Sequence, residues 1–580
     1  MSILIGAIAT HDASVILSHA ISQLGQQTYH LSYGYAQGHQ VTIEHPNRAS
    51  ELNASAAVGL LDLSLYPHNN SPIAFRERLL LAVLGHIENL AQLVSKLEAL
   101  GYAQNLQRKE DVVAALIDWH NRKHRNLRLA LQLTMQEIIG YFACCVVEAE
   151  QEDCLLCASK GPLLYIAQTP NGCYFSNEPN LIREHAALLV QLDNLEIAEL
   201  TPHKVSCYGA NAELLRKDPV PAHMAGHFAH HMLADIMGQP LIMAQLINHY
   251  LDNQLAQFLN QTGSSHRYQR VLMLASGSSH HATAIAQYWI EQLAGIPVRV
   301  EFASEFRYRQ QTLFEPDTLV IAVSQSGETA DTVAALRLAK QIGYTETLLV
   351  SNQNTSTLGK LCKYHLGQFA GKEIGATSTK TFSTQLLCLY FVALKLAEGR
   401  QHFSSAAIAE LNQLPRAIAE TLQLSPQLKL WARSLAQLEN VFLIGRNIQL
   451  PVALEAAQKM KEVCYLHAEG YPTGEIKHGP VTLINQNIPV LACLPWDQYA
   501  DKMLANLQEV KARQGEIYLL SDVELNSSEH FHYIKMPRKL PLLNPILYSI
   551  TFQLLSYFTA LSRGNNIDTP RNLSKTLDKE

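Results

Sequence analysis

The chain has 580 residues, of which 47% are hydrophobic and 17% are charged, and it carries a net charge of −6 with a pI near 6.5. That length predicts three or four globular domains with a sizeable core in each. The nearly balanced charge, with no basic stripe among aromatic residues, argues against a nucleic-acid partner.

The N-terminal region, residues 1–215, carries mixed short strands and helices. Its first nine residues predict a strand and no signal peptide, since no positive segment precedes the apolar run. Ten cysteines are scattered through the chain, and Cys154-x-x-Cys157 has no second pair to complete a zinc site. We therefore expect buried free thiols and a cytoplasmic location. The Pro- and His-rich composition of residues 218–231 predicts a linker over 216–245.

Strand–loop–helix units then alternate regularly, which predicts two successive doubly wound α/β domains, over residues 246–400 and 425–570. In the first, 271–279 runs into a helix at 281–293, 317–326 runs into a helix at 329–342, and 347–351 is a third strand. In the second, 440–446 precedes a helix at 452–465, 488–494 precedes a helix at 498–513, and 515–521 is a strand.

The longest apolar stretch, residues 545–561, is interrupted by polar side chains. A membrane span needs about twenty apolar residues. This stretch therefore predicts a core helix, and no membrane partner is expected.

A hydroxyl-rich loop in the first α/β domain is the most informative local feature. The buried run 318–323 breaks into Ser324-Gln-Ser-Gly-Glu-Thr329, which opens an amphipathic helix. The unpaired N–H groups and the dipole at a helix start favour an anion, and Ser324, Ser326 and Thr329 add hydroxyl donors. The loop lacks the Gly-Lys-Ser/Thr ending of a nucleotide P-loop, so it suits a single phosphate monoester.

Residues 225–580 resemble the sugar-isomerase (SIS) half of the glutamine–fructose-6-phosphate aminotransferase family, also called glucosamine-6-phosphate synthases. The resemblance implies two SIS domains preceded by an α+β, Ntn-type glutamine-amidotransferase-like domain, with a catalytic tail at 571–580. The matching stretches are Ala303–Arg309, Ser324–Thr332, Glu373-Ile-Gly, Ser378-Thr-Lys380, His467-Ala-Glu, Gly474–Pro480 and Pro570–Lys575.

The resemblance also implies roles for individual residues. Lys575 would form a Schiff base with the ketose carbonyl, Glu462 would shuttle a proton between C1 and C2, and His478 would open the sugar ring from the neighbouring subunit of a homodimer. No cofactor or metal is implied. The phosphate would be held by Ser279, Ser324, Gln325, Ser326 and Thr329, and the sugar hydroxyls by Ser278 and Ser378. Spacings of four and three place Glu455, Lys459 and Glu462 on one helix face.

The N-terminal region departs from the family's glutaminase domain. Ser2 stands where the family has its nucleophilic cysteine, and a hydroxyl is a much weaker nucleophile than a thiolate. The glutamine-binding segment is replaced by residues 61–68, and the segment that supplies the oxyanion donors survives only as Leu84-Gly-His-Ile-Glu-Asn89. We therefore expect no glutaminase activity.

Departures in the isomerase half are milder. Ser276 replaces a cysteine beside the sugar site, and His280, His281 and Thr377 stand where the family has other residues. These changes bear on which sugar fits, and none removes a proposed acid, base or amine.

The leading hypothesis is an enzyme that converts fructose 6-phosphate, or a related ketose phosphate, into an aminosugar phosphate with free ammonia as the nitrogen source. The reverse reaction would make it an aminosugar-phosphate deaminase. Three alternatives stay open: a simple isomerase, a non-catalytic sugar-phosphate-binding regulator, and a glutamine-dependent transaminase if Ser2 is competent.

Overall fold

The computed structural model divides the chain into two compact units, residues 1–228 and 229–580. The residues that it describes are 2–10, 13–14, 17–18, 30–46, 58–64, 71–102, 106, 108–183, 186–215, 217–219, 228–251, 268–310, 313–398, 400, 405–537 and 540–573.

The first unit contains two seven-stranded antiparallel sheets. One has the order β11-β9-β10-β1-β4-β2-β3, and the other has the order β14-β13-β12-β8-β7-β6-β5. The strands are β1 (Ser2–Ala9), β2 (His30–Gln37), β3 (Gln40–Glu44), β4 (Val58–Ser64), β5 (Ile73–Phe75), β6 (Leu79–Ile87), β7 (Gly140–Glu148), β8 (Leu155–Lys160), β9 (Leu164–Thr169), β10 (Gly172–Ser176), β11 (Leu188–Leu192), β12 (Ile197–Leu200), β13 (Val205–Tyr208) and β14 (Leu214–Leu215).

Helices cover the second of these sheets. Leu116, Ile117 and Leu131 on the helices share one buried core with Leu81 and Val146 on the strands. This sheet-rich α+β unit is consistent with the predicted Ntn-type domain. The helices of the unit are α1 (Leu90–Ala99), α2 (Lys109–His124), α3 (Leu127–Glu137) and a 3-10 turn at Pro179–Leu181.

The second unit begins with two helices, α4 (His231–Met237) and α5 (Gln239–His249), which fall mostly within the range predicted as a linker. A five-stranded parallel sheet of order β16-β15-β17-β18-β19 follows. Its elements are β15 (Arg270–Ala275), α6 (Ser278–Ala294), β16 (Val298–Phe302), α7 (Ala303–Phe306), β17 (Thr318–Val323), α8 (Ala330–Ile342), β18 (Thr347–Ser351), α9 (Thr357–Leu361), β19 (Tyr364–Gly367) and α10 (Lys380–Ala397).

A second parallel sheet, of order β21-β20-β22-β23-β24, repeats the pattern. Both sheets therefore confirm the predicted doubly wound α/β fold. The elements are α11 (Ser405–Leu422), α12 (Ser425–Leu435), β20 (Asn440–Gly445), α13 (Gln449–Lys459), a π-helical turn (Met460–Cys464), β21 (His467–Pro472), 3-10 helices at Ile476–His478 and Pro480–Leu483, β22 (Val490–Leu494), α14 (Ala500–Lys511), β23 (Ile517–Ser521), β24 (Phe531–Lys535) and α15 (Asn544–Ser562).

Two details differ from the helix predicted at 452–465. The helix begins earlier, at Gln449, and its last turn, Met460–Cys464, is π-helical. It ends where Tyr465 adopts a left-handed conformation with φ of +58°. The extra residue in a π-helical turn does not alter the apolar pattern enough to be read from the sequence.

The predicted core helix is confirmed, because α15 is buried along nearly its whole length. Among the described residues, no helix has the length and apolar character to cross a membrane. All ten cysteines are unpaired thiols, and all except Cys154 are buried, as expected.

The core of the first parallel sheet offers a test of the fold. Leu336 on α8 is fully buried in a cluster with Val320 and Leu349, whereas its neighbour Arg337 is exposed. We expect Leu336→Ala to lower the free energy of unfolding by about 2–5 kcal/mol, since it removes buried methyl groups and leaves a cavity. Arg337→Ala is the matched control and should change it by less than about 0.5 kcal/mol. Urea unfolding monitored by hydrogen exchange of 318–350 would measure both, and equal effects would contradict this packing.

Candidate active site

The topology of the first parallel sheet brings two loops together. The chain leaves β15 for β16 on one side and returns to β17 on the other, so the order reverses between β15 and β17. Ligands of doubly wound sheets bind at such a switch point, beyond the carboxyl ends of the strands. Ala275 and Val323 are paired neighbours at that edge. The loops 276–279 and 324–329 therefore start side by side.

The loop after β17 is organised by its own hydroxyl groups. Ser324 Oγ lies 2.9 Å from Thr329 Oγ1 and accepts a hydrogen bond from Gly327 N at 3.0 Å. Ser326 Oγ accepts from Glu328 N at 3.1 Å. These bonds curl the backbone at the start of α8, where a helix favours an anion. The loop thus forms a compact turn at a helix start, and the phosphate site predicted there stays a prediction.

Gly327 is required at the centre of this loop. Its φ is +69°, and a Cβ built there would lie 2.0 Å from Ser356 Oγ. Ser356 caps α9 by accepting from Gly359 N, so it cannot simply turn away. A side chain at this position would therefore distort the loop.

The segment that carries Ser378 is held by a buried carboxylate. Glu373 accepts hydrogen bonds from Thr379 N at 2.9 Å and from Thr381 Oγ1 at 2.6 Å, at the N-terminus of α10. A carboxylate there satisfies unpaired N–H groups and complements the helix dipole. Ser378 Oγ lies 2.7 Å from Thr381 Oγ1. The Glu373-Ile-Gly motif thus positions the residue expected to contact the sugar.

A buried charge cluster lies at the end of α13. Lys459, 1% exposed, contacts two carboxylates: its Nζ is 2.7 Å from Glu462 Oε2 and 3.3 Å from Glu455 Oε1. Gln458 Nε2 donates to the other oxygen of Glu462 at 2.9 Å. Both oxygens of Glu462 are therefore held, and this carboxylate lies on the π-helical turn. Such turns occur frequently at functional sites.

Mutual attraction keeps this cluster ionised despite its burial. Burial alone would raise the pKa of Glu455, but the Lys459 ammonium and the hydrogen bond from His281 outweigh it and lower that pKa, with a smaller contribution from the Ser278 hydroxyl. Burial alone would lower the pKa of Lys459, but Glu455 and Glu462 raise it above its usual value. Glu455 and Lys459 are therefore both charged at neutral pH.

His281 connects the two α/β domains at this point. Its Nδ1 lies 2.7 Å from Glu455 Oε2, although the two residues are 174 positions apart in the chain. His281 is in the first turn of α6, which also carries Ser278 and Ser279. Helix α6, which starts beside the loop 324–329, is thus in direct contact with the Lys459 cluster. The sequence marked His281 only as a departure from the family, since no spacing relates it to Glu455.

The C-terminal segment runs alongside the π-helical turn. Asn565 Nδ2 donates to Val463 O at 2.8 Å, and Arg571 N donates to Tyr465 Oη at 2.8 Å, with the Arg571 guanidinium 4.3 Å from the Tyr465 ring centre. Asp568 accepts from His231 N and Met232 N at 2.9 and 3.0 Å and so caps α4. Lys575 itself lies outside the described residues.

Three further candidates have these positions in the described structure. His478 is exposed on the 3-10 helix Ile476–His478, and within the described part of the chain no hydrogen bond joins its ring to Lys459 or its partners. Ser2 belongs to the first unit, where it starts β1 opposite Ser64 of β4. Gln325 lies within the loop 324–329, where its backbone carbonyl oxygen accepts a hydrogen bond from Asn352 N at 3.1 Å.

Comparison with known proteins assigns this architecture first to a class. Residues 266–395 and 434–563 each match the SIS domain family, so the two doubly wound domains are SIS domains. The solved C-terminal domain of a glucosamine–fructose-6-phosphate aminotransferase from Francisella tularensis aligns with a TM-score of 0.55 and 33% identity, over 59% of this chain and 98% of that one.

Full-length relatives then define the family. A glutamine–fructose-6-phosphate aminotransferase (isomerizing) of Pseudomonas putida is 36% identical over 512 residues, covering 86% of this chain and 84% of that protein. One from Pseudomonas syringae pv. tomato is 32% identical and covers 100% of both. The chain belongs to the glutamine–fructose-6-phosphate aminotransferase family.

The Lys459 cluster predicts a pH-dependent stability effect. In Lys459→Met, the buried Glu455 and the half-buried Glu462 lose their cation, which should cost about 3–5 kcal/mol at pH 7.5. A carboxyl group whose pKa is lower in the folded state than in the unfolded state stabilises the protein at pH values above its unfolded-state pKa. That stabilisation is lost as the pH falls through its folded-state pKa. The deficit of the variant should therefore shrink toward pH 5, where its carboxylates take up protons.

Urea unfolding of the wild type and the variant at pH 7.5 and pH 5 would measure this change. Lys461→Met is the matched control, since Lys461 is exposed only two residues away. A deficit of the same size at both pH values would contradict the ionised cluster.

Proposed function

We propose that this protein converts fructose 6-phosphate, or a related ketose phosphate, and an amine donor into an aminosugar phosphate by amination and aldose–ketose isomerisation. The relatives named above carry this reaction in their names. The observation that supports it best is the contact between the two halves of the site: His281 of the phosphate-side helix bonds Glu455 of the Lys459–Glu462 cluster.

In the proposed reaction the phosphate anchors the substrate at the loop 324–329, through hydroxyl donors and the helix start. The Lys575 amine condenses with the ketose carbonyl and releases water, which labilises the neighbouring C–H bond. Ammonia then displaces the lysine, so the net change consumes ketose and ammonia and yields amino-aldose and water. Lys575 follows Arg571 by four positions, a stretch of chain that spans at most about 14 Å.

Glu462 moves the proton in this scheme. It takes the proton from C1 and returns it to C2, a task that suits one carboxylate lying over both carbons. Lys459 and Gln458 hold its two oxygens at 2.7 and 2.9 Å, so its orientation is set before substrate binds. Its side chain remains 12% exposed, which leaves an approach for the substrate.

We further propose that ammonia, rather than glutamine, supplies the nitrogen. Ser2 replaces the family's cysteine. In the part of the oxyanion segment that survives, Asn89 forms hydrogen bonds with the backbone. Asn89 Oδ1 accepts from Ile139 N at 2.9 Å and its Nδ2 donates to Glu137 O at 3.0 Å. Oδ1 and one N–H of this amide are therefore committed to the backbone, so Asn89 has a structural use at the start of α1.

A homodimer completes the proposal. His478 is exposed and lies on the same short helical segment as Ile476, which is buried. This geometry anchors the segment and presents the imidazole outward, as a residue that serves a neighbouring subunit would require.

The nitrogen source can be tested directly. Purified protein with fructose 6-phosphate should form hexosamine phosphate when ammonium is added and none when only glutamine is added, because the thiol is missing and the segment that supplies the oxyanion donors survives only in part. Mass spectrometry of the products measures this. Equal product from glutamine would contradict the ammonia proposal, aldose phosphate without nitrogen would indicate a simple isomerase, and an unchanged ketose that nevertheless binds would favour a regulator.

The roles of the two halves of the site predict different kinetic changes. Glu462→Gln should lower kcat by about 100-fold or more with little change in KM, since it removes the base. Ser326→Ala should mainly raise KM, since it removes a phosphate donor. Glu529→Gln, whose side chain is 91% exposed, is the control and should behave as the wild type. Wild-type kcat in Glu462→Gln would contradict the assignment of the base.

A further inference from the structure

His281 does more than connect two helices, because it faces a cluster whose charges do not otherwise balance. Glu455 and Glu462 carry two negative charges, and Lys459 supplies one positive charge. An unbalanced charge in a buried site is costly. Among the described residues in contact with the cluster, the His281 ring, at 2.7 Å from Glu455, is the one that can gain a second positive charge.

The hydrogen bond to Glu455 determines which nitrogen of the His281 ring is the donor. Lys459 Nζ lies 3.3 Å from the other oxygen of Glu455, which favours the ionised carboxylate, and an ionised carboxylate only accepts, so Nδ1 of His281 is the donor. The second nitrogen, Nε2, remains to gain or lose a proton without breaking this bond. His281 can therefore change charge while Glu455 stays in place.

The position of His281 in the first turn of α6 places this charge beside the expected substrate site. His281 is the fourth residue of α6, in the same turn as Ser278 and Ser279. A helix N-terminus disfavours a cation on its own, and the Glu455 carboxylate offsets that effect. A protonated His281 would thus lie between the expected phosphate end and the proton-transfer end of the substrate.

The other charged groups around α6 already have partners or lie outside the cluster. On the elements packed against it, Lys380 pairs with Asp235 at 2.7 Å, Arg299 pairs with Glu301 at 3.4 Å, Lys395 pairs with Glu398, and Arg270 on β15 is exposed. On α6 itself, Gln287 bonds Glu291, and His280 stacks on Phe302 with ring centres 3.5 Å apart. Burial lowers the pKa of His280 to about 4, so that ring stays neutral.

We propose that His281 is a positioning residue of the reaction, holding Glu455 in place and, when protonated, supplying the second positive charge that balances Glu455 and Glu462. This role rests on the proposed function, in which Glu462 is the base. With that charge present, the negative charge of the two carboxylates is balanced, so activity persists further into the acid range. Binding of a dianionic sugar phosphate beside α6 also draws a proton onto His281.

The test uses His281→Asn in the full-length protein. The amide nitrogen of asparagine occupies nearly the position of Nδ1, so the variant can keep the hydrogen bond to Glu455 but cannot carry the charge. We expect the acid limb of its pH profile for kcat/KM to move upward by about half a pH unit or more, because a nearby cation that favoured the ionised carboxylate is gone. At pH 8.5 its kcat/KM should stay within about threefold of the wild type, a difference below about 0.7 kcal/mol.

His280→Asn is the matched control, and its acid limb should stay where that of the wild type lies. An acid limb of His281→Asn that coincides with that of the wild type would overturn the proposal. So would an equal loss of kcat/KM at every pH with an unmoved acid limb, since that result indicates a purely structural role.

A second readout does not depend on turnover. Calorimetric titration with fructose 6-phosphate at pH 7.5, in two buffers of different ionisation enthalpy, counts the protons taken up on binding. The wild type should take up more protons than His281→Asn. If the wild type has no activity with ammonium, the proposed function fails, and this measurement still decides for His281: equal proton uptake in the two proteins overturns its role.

Discussion

The Lys459 ammonium, buried between Glu455 and Glu462, is the interaction on which the rest of the site depends. Lys459 and Glu455 could not be buried, with Glu462 beside them, unless the three charges compensated one another. Their compensation holds Glu462, whose side chain is 12% exposed, at 2.7 Å from Lys459 on a π-helical turn. The bond from His281 to Glu455 joins the two SIS domains at this cluster.

Helix α6 links this cluster to the loop 324–329. Its first turn carries Ser278 and Ser279 beside the loop 324–329, and its fourth residue reaches Glu455. Because this one helix turn lies beside the loop and also contacts Glu455, the distance between the loop 324–329 and the Lys459 cluster is set by packing. The C-terminal segment is tied to the same turn through Asn565 and Arg571, and to α4 through Asp568. A residue delivered by this segment would arrive at a preorganised site.

Much of this arrangement can be predicted from sequence where the pattern is local. The buried run 318–323 and the hydroxyl loop after it predict strand, turn and helix start, and spacings of four and three predict the contacts of Lys459 with Glu455 and Glu462. Contacts between distant segments have no such signal. Nothing in the chain relates His281 to Glu455, and the π-helical turn adds one residue without disturbing the apolar pattern. Helices α4 and α5 fall in a stretch with Pro- and His-rich flanks, where their stability comes from packing within the second unit.

The central claim is that one pocket holds an anion at the loop 324–329 while Glu462 lies over the reacting carbons. The most direct measurement is a crystal structure of the full-length protein with fructose 6-phosphate bound. The account predicts phosphate oxygens within hydrogen-bond distance of the hydroxyls of Ser324, Ser326 and Thr329, and the Glu462 carboxylate within about 3.5 Å of C1 and C2. A sugar phosphate bound elsewhere, or bound at this loop with its carbonyl carbon turned away from Glu462, would contradict it.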